Sequence, residues 1–195
     1  MRFYNTYINS LLKGLQSLKI TDNGGNDIDI EEGMDLWCKM TEGIYNSNNT
    51  IFFIGNGASS AMASHMSADM CKNGGIKSMA FNDAALLTAV SNDIDYGQSY
   101  VVPLKRFSTA GDMLITISSS GNSPNIVNAL AAANDKKLKI ITLSGMKEDN
   151  KSRKYGDLNF YVPLDGYGPV EAAHQALLHC WLDKYLRDRG CGSIE

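Results

Sequence analysis

Two stretches near the start of the chain repeat apolar residues at helical spacing. Leu11, Leu12, Leu15 and Leu18 make one stripe, and Met34, Trp37, Cys38, Thr41 and Ile44 make the second, within residues 30–45. The spacing predicts two N-terminal amphipathic helices. Between them Thr21-Asp22-Asn23-Gly24-Gly25-Asn26-Asp27 is polar and glycine-rich, which predicts a loop. From Thr50 the pattern changes to short apolar runs at 51–54, 78–81, 113–118, 138–143 and 158–162, each followed by Gly, Ser or Asn and then a helical stretch. Unbroken apolar runs alternating with helices describe strands buried on both faces, so the pattern predicts an α/β fold: a doubly wound five-stranded parallel sheet flanked by helices. A long last helix runs from Pro169 to about Arg187.

With 195 residues, 44% of them hydrophobic, the chain can bury one sizeable core. We therefore expect a single domain over 1–195, with a helical pair over 1–48 and an α/β core over 49–190. The balance of 18 basic against 21 acidic residues, net charge -3, argues against direct nucleic-acid binding. Cys38, Cys71, Cys180 and Cys191 lie far apart without a Cys-x-x-Cys pair, so they read as reduced thiols. No apolar run approaches the length of a membrane span and the first residues lack an apolar signal region, which together predict a cytoplasmic protein.

Ligands of open α/β sheets bind outside the carboxyl ends of strands, where helix N-termini offer free N–H groups. Two loops fit that place. Gly55-Asn56-Gly57-Ala58-Ser59-Ser60 follows the run at 51–54, and its glycines let a ligand approach the backbone. It lacks the third glycine of a dinucleotide fingerprint, Ser60 standing there, so no nucleotide cofactor is expected. Ser118-Ser119-Ser120-Gly121-Asn122-Ser123 follows the run at 113–118, with Ser123 and Pro124 in the pattern of an N-cap and first helical residue. A hydroxyl-rich loop without lysine suits a phosphate monoester on a small molecule rather than a nucleotide triphosphate. The same residues also describe a turn that only caps its helix.

All three histidines, His65, His174 and His179, fall on two predicted helices that also carry carboxylates. His65 and Asp69 are four apart and share a face. Glu171 and His179 are eight apart, about 80° around the last helix, and so look toward a common side. Two imidazoles and two carboxylates can hold a divalent ion such as zinc or divide acid and base roles. Equally, His65 and Asp69 have the spacing of a surface ion pair, and His174 sits among Ala and Leu as core histidines do. Asn92-Asp93 closes an apolar run and can hydrogen-bond sugar hydroxyls or form an Asx turn.

From about residue 50 to 187 the chain resembles the sugar isomerase (SIS) domain family. The resemblance rests on Gly55-Asn56-Gly57-Ala58-Ser59 with His65 six residues on, Asn92-Asp93, Gly111-Asp112-Met113-Leu114, Ile117 through Ser123 and the late histidines. It implies a homotetramer with sites between subunits. It also implies conversion of sedoheptulose 7-phosphate to D-glycero-D-manno-heptose 7-phosphate through an enediol, for lipopolysaccharide or capsule heptose biosynthesis. On that pattern Asn56, Gly57, Ala58, Ser59, Asn92, Asp93, Ser118, Ser119, Ser120, Ser123 and Glu171 are substrate-binding positions. His65, Asp69, Glu171 and His179 are metal positions for zinc or a similar ion, with Asp69, Glu171 and His179 also catalytic. Two residues depart from it, since the family has Glu where this chain has Asp69 and Gln where it has Glu171. Related members only sense phosphosugars or act as adaptors for a replication initiator, and a non-catalytic binder or an isomerase of another phosphosugar are the alternatives.

Overall fold

The computed structural model describes residues 2–191; residues 1 and 192–195, which the single-domain reading also covers, lie outside the described residues. In chain order the elements are α1 (Phe3–Gln16), β1 (Lys19–Asp22), β2 (Asp27–Ile28), α2 (Ile30–Asn46), β3 (Thr50–Gly55), α3 (Ala58–Lys72), β4 (Lys77–Ala80) and α4 (Ala84–Asp93). There follow α5 (Val101–Phe107), β5 (Met113–Ser118), α6 (Pro124–Asp135), β6 (Lys139–Gly145), β7 (Leu158–Val162) and α7 (Tyr167–Asp188). The five expected strands form the parallel sheet, in the order β4-β3-β5-β6-β7.

The sheet is larger than the sequence pattern predicts. The polar stretch at 21–27 is a loop only over 23–26, which is the turn of a hairpin, β1–β2, whose first strand pairs antiparallel with β7 and makes the sheet seven-stranded. Its turn is organised by Asp22, whose carboxylate accepts hydrogen bonds from the backbone N–H groups of Gly24 and Asn26, both at 2.8 Å. Leu18, expected on the first helix, falls after α1 and is buried at the start of this hairpin.

Alternation along β3 shows why its run is unbroken: Ile51 and Phe53 enter the core under α2, α3 and α7, while Phe52 and Ile54 enter the core under α5 and α6. The first core holds Trp37 of α2 stacked on Trp181 of α7 with centroids 4.4 Å apart. The N-terminal helices therefore share the core of the sheet rather than forming a separate unit. α1 is less embedded: Phe3, Tyr4, Ile8 and Leu12 stay exposed.

The strand order creates the place for a ligand. From β3 the chain moves outward to β4, then returns to the other side of β3 for β5, so the loops leaving β3 and β5 diverge from a topological switch point. Register pairs Gly55 with Ile117 there, and Ser118 with Ser144 one strand further.

Candidate active site

The loop after β3 turns into α3 through Gly57, which caps the helix with φ +57°, a left-handed conformation that glycine adopts without strain. The serines do not cap it. The loop after β5 turns through Gly121 at φ +61° into α6, with Ser123 at the N-cap and Pro124 first in the helix as the sequence predicts. Ser123 makes no side-chain capping bond, so its hydroxyl is left for something else.

Between the loops lies a cavity of about 170 Å³ lined by Asn56, Ser59, Ile117, Ser118, Ser119, Ser120, Ser123, Tyr167 and Glu171. Ser119 is buried and its hydroxyl has no hydrogen-bond partner among the described residues. A buried hydroxyl without a partner costs on the order of 1–3 kcal/mol, which a ligand oxygen would recover. The loop is braced from behind by the residues after β6. Ser152 donates to the Gly121 carbonyl through its N–H at 3.0 Å and its hydroxyl at 2.8 Å, and the Lys151 N–H donates to Asn122 Oδ1 at 3.0 Å. A Cβ on Gly121 would collide with the Asn150 side chain. Asn150 and Ser152 carry no motif in the sequence, and only the fold brings them to the loop.

A second cluster lies along the same helices. His65 Nε2 is 3.3 Å from Asp69 Oδ2, the His65 and His179 ring centroids are 5.3 Å apart, and one ligand atom from each of His65, Asp69 and His179 lies within 4.8 Å of the others. Glu171, grouped with these three by the sequence pattern, stands instead in the serine cavity. Eight residues of α7 rise about 12 Å, so Glu171 and His179 share a face but not a centre. Between them Gln175 reaches Met66 of α3 at 3.9 Å. The seam of α3 on α7 thus carries the serine cavity at one end and the histidine–carboxylate trio at the other.

Other expected positions fall elsewhere. Gly57 and Ala58 lie at the exposed start of α3 beside the cavity. Asn92 and Asp93 are the exposed last residues of α4, hydrogen-bonded to each other at 2.8 Å and outside the cavity of this chain. His174 is fully buried, with Nε2 against the Ser144 carbonyl at 3.1 Å, and burial pulls its pKa down to about 4. It is a neutral core histidine.

A hydroxyl-walled cavity at the switch point of an α/β sheet, with imidazoles and a carboxylate along the adjoining helix seam, defines the class as a ligand-binding α/β domain. A family profile described as SIS domain matches residues 30–145, and the chain belongs to the SIS-domain family. The phosphoheptose isomerase of Aromatoleum aromaticum is 31% identical over 145 residues, covering 70% of this chain and 73% of the relative. The structure of phosphoheptose isomerase from Neisseria gonorrhoeae superposes with a TM-score of 0.80 at 24% identity, over 93% of this chain and 94% of that one. That from Francisella tularensis gives 0.81 at 21% identity, over 95% of each. At these identities the two structures establish the shared fold.

Proposed function

We propose that this chain is a phosphoheptose isomerase, interconverting sedoheptulose 7-phosphate and D-glycero-D-manno-heptose 7-phosphate. The relatives' shared name supports the reaction class. The observation that carries it to this molecule is the α3–α7 seam, which offers a phosphate-receiving cavity and an acid–base group to the two ends of one extended sugar.

Ser118, Ser119, Ser120 and Ser123 take the phosphate at the start of α6, where the helix dipole favours an anion. Asp69 removes a proton from the terminal hydroxymethyl carbon of the ketose and returns it to the neighbouring carbon. His179 gives a proton to the carbonyl oxygen and recovers one from the adjacent hydroxyl as the aldehyde forms. The pairing of Asp69 Oδ2 with His65 leaves Oδ1 for the proton. His65, Asp69 and His179 also fit zinc or a similar divalent ion by donor type and mutual distance, and holding it would take Asp69 and His179 out of the proton transfer. When bound, such an ion supplies Lewis-acid polarisation of the sugar oxygens. Glu171 sets a negative charge beside the phosphate and makes its binding weaker than a neutral residue would.

The exposed stripe of Phe3, Tyr4, Ile8 and Leu12 on α1 offers an apolar face for association between copies, and a homotetramer is part of this reading. The reading includes cytoplasmic work supplying heptose to lipopolysaccharide or capsule synthesis; no described helix is long and apolar enough to cross a membrane. The test is turnover of sedoheptulose 7-phosphate by the native chain, with and without added zinc, beside Asp69→Asn. Turnover by the native chain that falls about 10³-fold in the variant is expected; a native chain without turnover in either condition overturns the reading.

A further inference from the structure

Asn56 stands where β3 gives way to α3 and lines the serine cavity. Its amide is held by residues that do not line the cavity, and the chemistry of those bonds fixes which way it points. Asn125, the second residue of α6, is 1% exposed. The Ile126 backbone N–H, which can only donate, meets Asn125 Oδ1 at 3.0 Å, so the oxygen of that amide is on that side. Asn125 Nδ2 is then the nitrogen that donates to Ser99 Oγ at 3.2 Å and to Asn56 Oδ1 at 2.9 Å. In return Asn56 Nδ2 donates to Asn125 Oδ1 at 2.9 Å. Tyr96 closes the arrangement, its hydroxyl donating to Asn56 Oδ1 at 2.9 Å.

The count of bonds has a consequence. Asn56 Oδ1 accepts from Asn125 and from Tyr96, which fills both lone pairs, and one of the two Nδ2 hydrogens is committed to Asn125. A single N–H remains. We propose that Asn125 and Tyr96 are positioning residues that lock Asn56 as a hydrogen-bond donor, so that it reads an acceptor oxygen of the bound phosphosugar and rejects a hydroxyl hydrogen. In a cavity walled by serines that acceptor is a phosphate oxygen. The proposal rests on the phosphosugar reading of the cavity and assigns it a sense of hydrogen bonding that the serines, which donate and accept alike, do not provide.

The experiment uses two readouts on the full chain: KM and kcat for sedoheptulose 7-phosphate, and the affinity for inorganic phosphate by calorimetry, which needs no turnover. Asn125→Leu keeps shape but removes the lock, and Tyr96→Phe, at a residue 55% exposed, removes one bond without threatening the fold. Phosphate affinity is expected to fall about tenfold in the first and about threefold in the second, with the kinetic loss mainly in KM. In an Asn56→Ala background neither change weakens phosphate further, because both act through Asn56. Independent, multiplying losses in that background overturn the proposal. So does unchanged affinity in Tyr96→Phe, or an Asn56→Asp chain that binds phosphate as well as the native one. A native chain that binds phosphate and shows this dependence, yet does not isomerise the heptose phosphate, sinks the enzyme reading and leaves the lock standing.

Discussion

The two ends of the α3–α7 seam are built in different ways. The serine cavity is made by main-chain turns at Gly57 and Gly121 and is braced by Ser152 and Lys151. The trio consists of three side chains projecting from two helices, one of them exposed, with His65 Nε2 and Asp69 Oδ2 in contact at 3.3 Å. Backbone geometry fixes the first, so it should control affinity. Side-chain geometry sets the second, so it should control the chemical step and respond to whatever binds between the rings.

Four changes break or sharpen that contrast. The largest effect is expected of His179→Ala, which should lower kcat about 10³-fold while inorganic phosphate binds as before; parallel loss of phosphate affinity would show that the two ends are one site. Next, Gly121→Ala places a Cβ against Asn150 in a left-handed conformation, and KM should rise about a hundredfold with kcat little changed. Steady-state kinetics beside a melting curve separates this from unfolding.

Third, His174 is hydrogen-bonded to the carbonyl of Ser144, the strand partner of Ser118. Its folded pKa of about 4 is below the ordinary value near 6.5, so the unfolded chain binds the proton first. Its contribution is complete above about pH 6.5 and is lost as pH falls toward 4, at about 1.4 kcal/mol per pH unit. Denaturant titrations across that range should show the slope, and a flat profile would place a charged histidine there. Smallest, Glu171→Gln removes the charge beside the serines and should tighten phosphate about fivefold, leaving kcat nearly unchanged. A fall in kcat instead would move the base from Asp69 to Glu171.

Strands β3, β5, β6 and β7 were legible because burial on both faces leaves unbroken apolar runs, whereas β4 is the half-buried edge strand Lys77–Ala80, and the serine loop was legible because Ser123-Pro124 announces a helix start. The hairpin was not, since only Ile20 and Ile28 flank its polar turn and periodicity has too little to act on. Its turn chemistry, Asp22 and Asn26 around two glycines, was the signal to follow. Helical spacing put Glu171 and His179 on one face, and the same eight-residue spacing already sets them two turns, about 12 Å, apart, too far for one centre. Asn125 and Tyr96 were invisible for another reason. They act through Asn56, 69 and 40 positions away in sequence, and no local pattern encodes a partnership of that range.

The same hairpin also decides how copies of this chain can meet. With β1 laid on β7, the sheet ends on one side in the two residues of β2 and on the other in the four residues of β4, which opens with Lys77. Neither border offers a length of unpaired backbone on which a foreign strand could grow, so the molecule is guarded against edge-to-edge aggregation. Short borders favour association through helix faces, where side chains choose the partner, over continuation of the sheet, where any extended peptide would serve.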